Sequence, residues 1–479
     1  MNRFRAHNLG LNPLLLNWLH PTQLEEIHQA SLELLERTGV RVEHQEAAGL
    51  LKEAGCIVRD RVARIPAWLV EACIRQAPGM IPLYSPGGEK SLTVKARNSY
   101  FGPGSGLACH LDLDSGERRR TVRQDLTHAA VLLNALPQYD FVMSYGTPSD
   151  CPADRADLHQ FEAMLLHSSK PIFFTSATEE NTRKIIEMAS IAAGGVRELE
   201  QAPFLVFSYQ PEVPLVYTHD GLSRVFCCLE YKIPVIFAPT AVAGQTSPVT
   251  KAGTVLQVNA GNLAGVVLTQ LKKKGASVIL GSRAAPLDMK TSSILRGSPD
   301  AFIQQGLATQ LAHFYRLPGF SEAGCSNAPV PFAQAGMEAG MSILLASLNG
   351  SNLIHNLGAL DGGTTGSLPF LVMCHEYIGA ARHLGAGVSM DRERLALDVL
   401  QEAGPGGNFA GSRHTINHFK SENWMPDTLN RHPWETWEEQ GKKDSFVLAR
   451  EKVRKILSET SSSLLSDEKK HRIRQVASR

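Results

Sequence analysis

Histidine and cysteine carry most metal and nucleophilic chemistry, so their spacing is the first thing to read. His414 and His418 form an HxxxH pair, which on a helix would put both imidazoles on one face, as a zinc site requires. Gly411 lies in the same segment, no Glu separates the two histidines, and no third ligand is evident. Surface or capping histidines are the plainer reading, and no metal is expected. Cys325 ends a β-rich run, but the chain has no G-x-S-x-G elbow, and a lone Cys usually packs as a small hydrophobe. The run Gly102-Pro103-Gly104-Ser105-Gly106 is not GxGxxG, and GPGGN (Gly404 to Asn408) lacks a following lysine. Glycines of this kind serve tight turns or close backbone approach, so no nucleotide cofactor is expected. What remains is a set of aromatic, amide and charged groups at the ends of apolar runs: Tyr100, Tyr145, Tyr209, Glu212, Arg283, Asn327, His355 and Asn356. Aromatic faces attract quaternary ammonium ions, and Arg283 or His355 could hold a carboxylate; the alternative for Arg283 is a structural ion pair with Asp288 or Glu322. The bland alternative, that the rings only fill a core, suits Phe173 and Phe237 better than the three tyrosines, whose hydroxyls need partners.

The elements that must position these groups follow from periodicity. Eight β-rich runs recur about 30 to 43 residues apart: Asn98 to Gly104, Phe141 to Pro148, Pro171 to Ser176, Phe204 to Gln210, Pro234 to Val242, Ala276 to Arg283, Gly319 to Ala328 and Ser351 to Gly358. Helix-like stretches such as Asp154 to His167 and Gln257 to Lys273 separate them. Strand–helix alternation predicts a parallel sheet, and eight strands is the number that closes a (β/α)8 TIM-type barrel. Continuously apolar runs such as IFF, FLVF and SVIL fit strands buried on both faces; an open doubly wound sheet is the competing architecture. Residues 1–92 read as an N-terminal helical region, 93–385 as the barrel, and 386–479 as a C-terminal cap with a charged amphipathic helix from about Ser445. Within the first region, Thr22 and Glu25 suggest a capping box, and Gly39 a helix stop.

Composition bounds the setting. The chain has 479 residues, 43% hydrophobic and 20% charged, with 48 Lys+Arg against 47 Asp+Glu. Such a balance offers no broad field for nucleic acid or an anionic membrane. Eight cysteines show no CxxC pair, which predicts a reducing, cytoplasmic setting rather than disulfides. The N-terminal apolar run Leu14 to Leu16 is broken by Asn17, so neither a targeting signal nor a membrane span is expected.

Several longer stretches carry a resemblance. LLERTGVRVEH (Leu34 to His44), GLACHLDLDSGERRRTVRQDL (Gly106 to Leu126), LQVNAGNLAGVVLTQL (Leu256 to Leu271), FAQAGMEAGMSILLASLNGSNLIHNLGALDGG (Phe332 to Gly363) and GGNFAGSRHTINHFKSENWMPDTLNR (Gly406 to Arg431) resemble the trimethylamine methyltransferase family. The likeness is greatest to its non-pyrrolysine members of the glycine betaine:corrinoid methyltransferase type. The resemblance implies a (β/α)8 barrel and methyl transfer from a quaternary amine to cob(I)alamin on a separate corrinoid-binding protein. Glycine betaine, giving dimethylglycine, is the implied substrate; carnitine, proline betaine and choline are alternatives. Trimethylamine enzymes carry pyrrolysine near the end of the seventh strand, whereas CSNAPVPFAQAG (Cys325 to Gly336) holds only ordinary residues. The match puts that position near Val330 to Phe332 and adds Phe332 to the expected substrate wall. A homo-oligomer is expected. A cytoplasmic quaternary-amine binding protein without catalysis is the competing class, and a barrel lyase or aldolase is disfavoured because no strand-end lysine is apparent.

Overall fold

A computed structural model describes residues 14–104, 106–459 and 465–479. Residues 1–13, which precede the Leu14 to Leu16 run read for a targeting signal, and Ser105 of the glycine-rich run lie outside the described residues. All eight expected runs contribute a barrel strand: β1 (Tyr100–Pro103), β2 (Val142–Met143), β3 (Ile172–Phe174), β4 (Leu205–Tyr209), β5 (Val235–Phe237), β6 (Val278–Gly281), β7 (Gly319–Glu322) and β8 (Leu353–Leu357). Neighbours from β2 to β8 pair in parallel, and β8 returns to pair with β1. The β1–β2 seam is closed by Asp140. Its backbone N–H donates to the Phe101 carbonyl at 2.8 Å, and its carboxylate accepts the Phe101 N–H at 2.8 Å. A β-bridge between Leu107 and Gly146 extends the seam.

Side-chain alternation divides the strands between two cores. Val142, Ile172, Phe174, Leu205, Phe207, Val235, Phe237 and Leu280 join the large cluster that includes the surrounding helices. Tyr100, Met143, Phe173, Val206, Ile236, Ile279, Phe320 and Leu353 pack with each other in a second cluster. Ile81, Leu83, Leu92 and Val94 belong to that inner cluster. They come from an antiparallel hairpin, Met80–Tyr84 with Lys90–Lys95, so the hairpin plugs one end of the barrel.

The barrel helices, in chain order, are α1 (Arg123–Ala135), α2 (Ala156–His167), α3 (Glu179–Ala193), α4 (His219–Glu230), α5 (Lys251–Lys272), α6 (Pro299–Phe314), α7 (Ala333–Asn349) and α8 (Leu368–Gly385). Five of them begin on a Ser or Thr cap whose side chain accepts a first-turn N–H: Thr178, Thr218, Thr250, Ser298 and Ser367. These caps satisfy donors that a helix start would otherwise leave open, and they set where each strand-to-helix loop ends.

The flanking regions differ from expectation in detail. The N-terminal region holds three helices (Pro21–Arg37, Gln45–Glu53, Ala67–Gln76) but also strands Val40–Val42, Ile57–Arg59 and Val62–Arg64. These strands form a small sheet with Val216–Tyr217 from the loop after β4. Its first helix is capped by His20 and Gln23 rather than by Thr22 and Glu25, because Pro21 takes the first-turn position. The C-terminal end has two helices, Ser445–Glu459 and Asp467–Ser478, rather than one. The first packs on α8 and α1, the second on α3 and α2.

Candidate active site

In parallel barrels the reactive groups stand at the C-terminal ends of the strands. Here that end carries a buried ionic cluster built by β6, β7 and β8. Strand alternation puts Phe320 and Glu322 of β7 on the same face, and Phe320 belongs to the inner core, so Glu322 is also directed inward. Arg283, two residues past β6, donates Nε–H to Glu322 Oε1 at 2.7 Å. Arg296, further along the same loop, donates from Nη1 to Glu322 Oε2 at 2.5 Å. Asn356 Nδ2 lies 3.4 Å from Oε1, and His355 Nε2 stands 3.8 Å from it. The His355 ring stacks on Phe320 with centroids 4.2 Å apart.

Backbone geometry fixes this arrangement. The β8–β1 register shifts between Ile354 and Leu357, and Asn356 adopts φ +76°, a left-handed conformation that Asn tolerates better than most residues. Gly104 leaves room there, since a Cβ on it would stand 2.5 Å from Asn356 Oδ1. The loop bearing Arg296 is tied by Asn327, whose Nδ2 donates to the Ile294 carbonyl and whose Oδ1 accepts the Gly297 N–H, both at 2.8 Å.

Electrostatics follow from burial and charge. Burial alone would raise the Glu322 carboxyl, but Arg296 and Arg283 outweigh it and bring it down to about 2. Burial pushes the His355 imidazole down to about 3, only partly opposed by Glu322. At neutral pH the cluster therefore holds two guanidinium cations, one carboxylate anion and a neutral imidazole.

A second buried network stands at the end of β2. His110 Nδ1 and the Tyr145 hydroxyl are 2.8 Å apart, and Asp125 lies 3.7 Å from His110 Nε2. Arg119 binds both Asp125 oxygens, at 2.7 and 2.9 Å. His110 comes from a strand (Cys109–Leu111) of a four-stranded sheet formed by the loops that follow β1 and β8.

The structure thus brings Arg283, His355 and Asn356 together, pairs Arg283 with Glu322, one of the two ion-pair partners the sequence offered, and adds Arg296, which was not among the expected residues. Five other expected residues stand outside that cluster. Tyr100 opens β1, so its hydroxyl reaches the plugging hairpin and donates to the Thr93 carbonyl at 3.0 Å, at the wrong end of the barrel. Tyr209 shares its parity with Phe207 and faces α4, where a Cβ on Gly221 would meet its hydroxyl at 2.5 Å. Asn327 spends its amide on the loop and positions rather than contacts. Phe332 is 63% exposed and packs against Phe446 of the C-terminal helix, because the chain after β7 has already turned outward to start α7. Glu212 lies exposed in the loop after β4, outside the buried cluster. Tyr145 is buried and belongs to the second network through His110. Glu322 was legible from the alternation in GFSE; Arg296, in an irregular loop, had no such signal. His414 and His418 both reach Glu393, through its carbonyl and its carboxylate at 3.1 Å each. Among the described residues no group of three or more His, Cys, Asp or Glu is arranged to hold a metal.

The description of the trimethylamine methyltransferase family matches residues 8–479. A trimethylamine methyltransferase from Desulfitobacterium hafniense is 31% identical over 439 residues, 91% of this chain and 88% of the relative. A glycine betaine methyltransferase from another strain of that species is 31% identical over 425 residues, 88% of each chain. A trimethylamine methyltransferase from Methanosarcina barkeri is 30% identical, covering 94% of this chain and 92% of its own. The crystal structure of the Methanosarcina barkeri monomethylamine methyltransferase superposes with a TM-score of 0.55 at 11% identity, over 95% of this chain and 90% of that one; it shares the fold. The protein is therefore a (β/α)8-barrel methyltransferase, which sets aside the non-catalytic and lyase alternatives. It belongs to the trimethylamine methyltransferase family.

Proposed function

We propose that the enzyme moves a methyl group from a quaternary amine, glycine betaine first among them, to cob(I)alamin carried by a separate corrinoid-binding protein. The observation that carries this reading is the likeness to a glycine betaine methyltransferase over 88% of the chain; the resemblance adds that CSNAPVPFAQAG (Cys325 to Gly336), which it matches to the pyrrolysine region of trimethylamine enzymes, holds ordinary residues. In this reaction the C–N bond breaks with its electron pair left on nitrogen, and the methyl carbon bonds to cobalt, which is formally oxidised from Co(I) to Co(III). The leaving group is a neutral tertiary amine that needs no proton, and the cobalt is itself the nucleophile. The barrel is then required to align nitrogen, methyl and cobalt and to exclude water. A strong aromatic cage would stabilise the cationic ground state more than the transition state, in which that charge is being quenched. A charged cluster without a nucleophile–base pair suits this demand. The acceptor protein would dock over the C-terminal ends of the strands, and the enzyme would act in the cytoplasm as a homo-oligomer.

The test is to mix the enzyme with chemically reduced cobalamin or a corrinoid protein and a panel of quaternary amines, following methylcobalamin by absorbance. Methylation from glycine betaine is the expected outcome. Methylation only from carnitine, choline or proline betaine would change the substrate, and none from any amine would remove the reading.

A further inference from the structure

We propose that Arg283 and Arg296 form a receptor for a substrate carboxylate, with Glu322 as their fixed counter-ion, so that the mouth selects zwitterionic N-methylated amino acids over amines that lack an anion. This rests on the quaternary-amine reading above and narrows its substrate class. Arg283 engages Glu322 through Nε alone and Arg296 through Nη1 alone. Their remaining N–H groups make no hydrogen bond among the described residues. Two cations against one carboxylate leave one positive charge in excess, in a cluster whose three charged side chains are 13%, 10% and 6% exposed. An uncompensated buried charge is costly, so a purely structural tie would be expected to balance; a bound anion completes the balance. His355 is fully buried, with neither ring nitrogen hydrogen-bonded among the described residues, and it shares the inward parity of Leu353. Both Glu322 oxygens are taken by arginine, which leaves no carboxylate free to pair with an ammonium group. A cation without an anion would meet net repulsion here, whereas a betaine would turn its carboxylate to the guanidinium groups and keep its methylammonium end away from them. Arginine suits this task because its planar fork still offers donors after one is committed.

Binding to the full-length enzyme is measured by calorimetry with glycine betaine, its neutral amide and tetramethylammonium. The native enzyme should bind the betaine at least 30-fold more tightly than the amide, a comparison that needs no variant to fold. Arg296→Ala should weaken betaine by about 30-fold to several thousand-fold, the range expected for losing a desolvated charge-assisted contact, while tetramethylammonium binding holds or improves. Arg296→Lys should recover part of the loss. Equal binding of betaine and its amide, or equal losses for betaine and tetramethylammonium in Arg296→Ala, would overturn the proposal. The methylcobalamin assay separates the two ideas. Arginine-dependent betaine binding without methyl transfer sinks the proposed reaction and leaves the receptor standing. Methyl transfer that proceeds equally from betaine and tetramethylammonium, and equally in Arg296→Ala, does the reverse.

Discussion

His110 and His355 are 1% and 0% exposed, and burial lowers their imidazoles to about 4 and about 3. An unfolded chain would protonate both near the ordinary value of 6.5, so the unfolded state binds more protons below that pH. Their contribution to stability is therefore complete above pH 6.5 and shrinks as pH falls toward the folded values. At pH 5 each should cost roughly 2 kcal/mol relative to pH 8, from about 1.4 kcal/mol per pKa unit. Glu322 titrates lower still, so its ion pairs are retained throughout this window. Urea unfolding at pH 8 and pH 5 should show the loss, and His355→Asn should remove about half of the part due to the two histidines. An unchanged pH slope in that variant would refute the assignment.

At the scale of elements, α5 packs against the Phe237 ring of β5 through a glycine. Gly265 sits mid-helix, and a Cβ there would stand 2.6 Å from ring carbons of the fully buried Phe237. In an exposed helix, Gly→Ala would stabilise by about 1 kcal/mol. Here overpacking at about 1–3 kcal/mol opposes that gain and exceeds it, because Phe237 is held between strand and helix and shares ring contacts with Tyr209 and Tyr217. Gly265→Ala should therefore lower the urea midpoint, and combining it with Phe237→Leu should cost less than the sum of the two single changes. A raised midpoint in the single variant would show that helix propensity wins.

Across the whole molecule, the C-terminal helices hold the barrel's outer ring together at the ends of the chain. Ala449 and Val453 are buried, as are Ile473, Val476 and Ala477, and Arg155 donates to the Ser478 carbonyl at 2.6 Å. Val453, Ile473 and Val476 alone account for roughly 5–9 kcal/mol of burial at about 1.5–3 kcal/mol each, comparable with the net stability of a whole domain. Truncation after Lys443 should give insoluble or molten protein, read as a lost cooperative melt. A truncated enzyme that melts cooperatively near the full-length temperature would show the helices to be dispensable.

The eight strands were legible because barrel strands are continuous apolar runs, buried on both sides and spaced by helices, and that signal is local. The clustering of Arg283, His355 and Asn356 was also legible, since consecutive strands of a closed parallel sheet are neighbours. Tyr100 and Tyr209 misled because a strand-rich run does not state where its hydrogen-bonded part begins or which parity faces inward. A shift of one residue moves a side chain from lumen to helix layer. Only the tertiary structure placed Arg296 beside Glu322, because the path of the irregular loop between β6 and α6 depends on ties such as Asn327 to Ile294 and Gly297. Those ties join segments about thirty residues apart, and no local pattern of residue types encodes which distant amide will hold a loop.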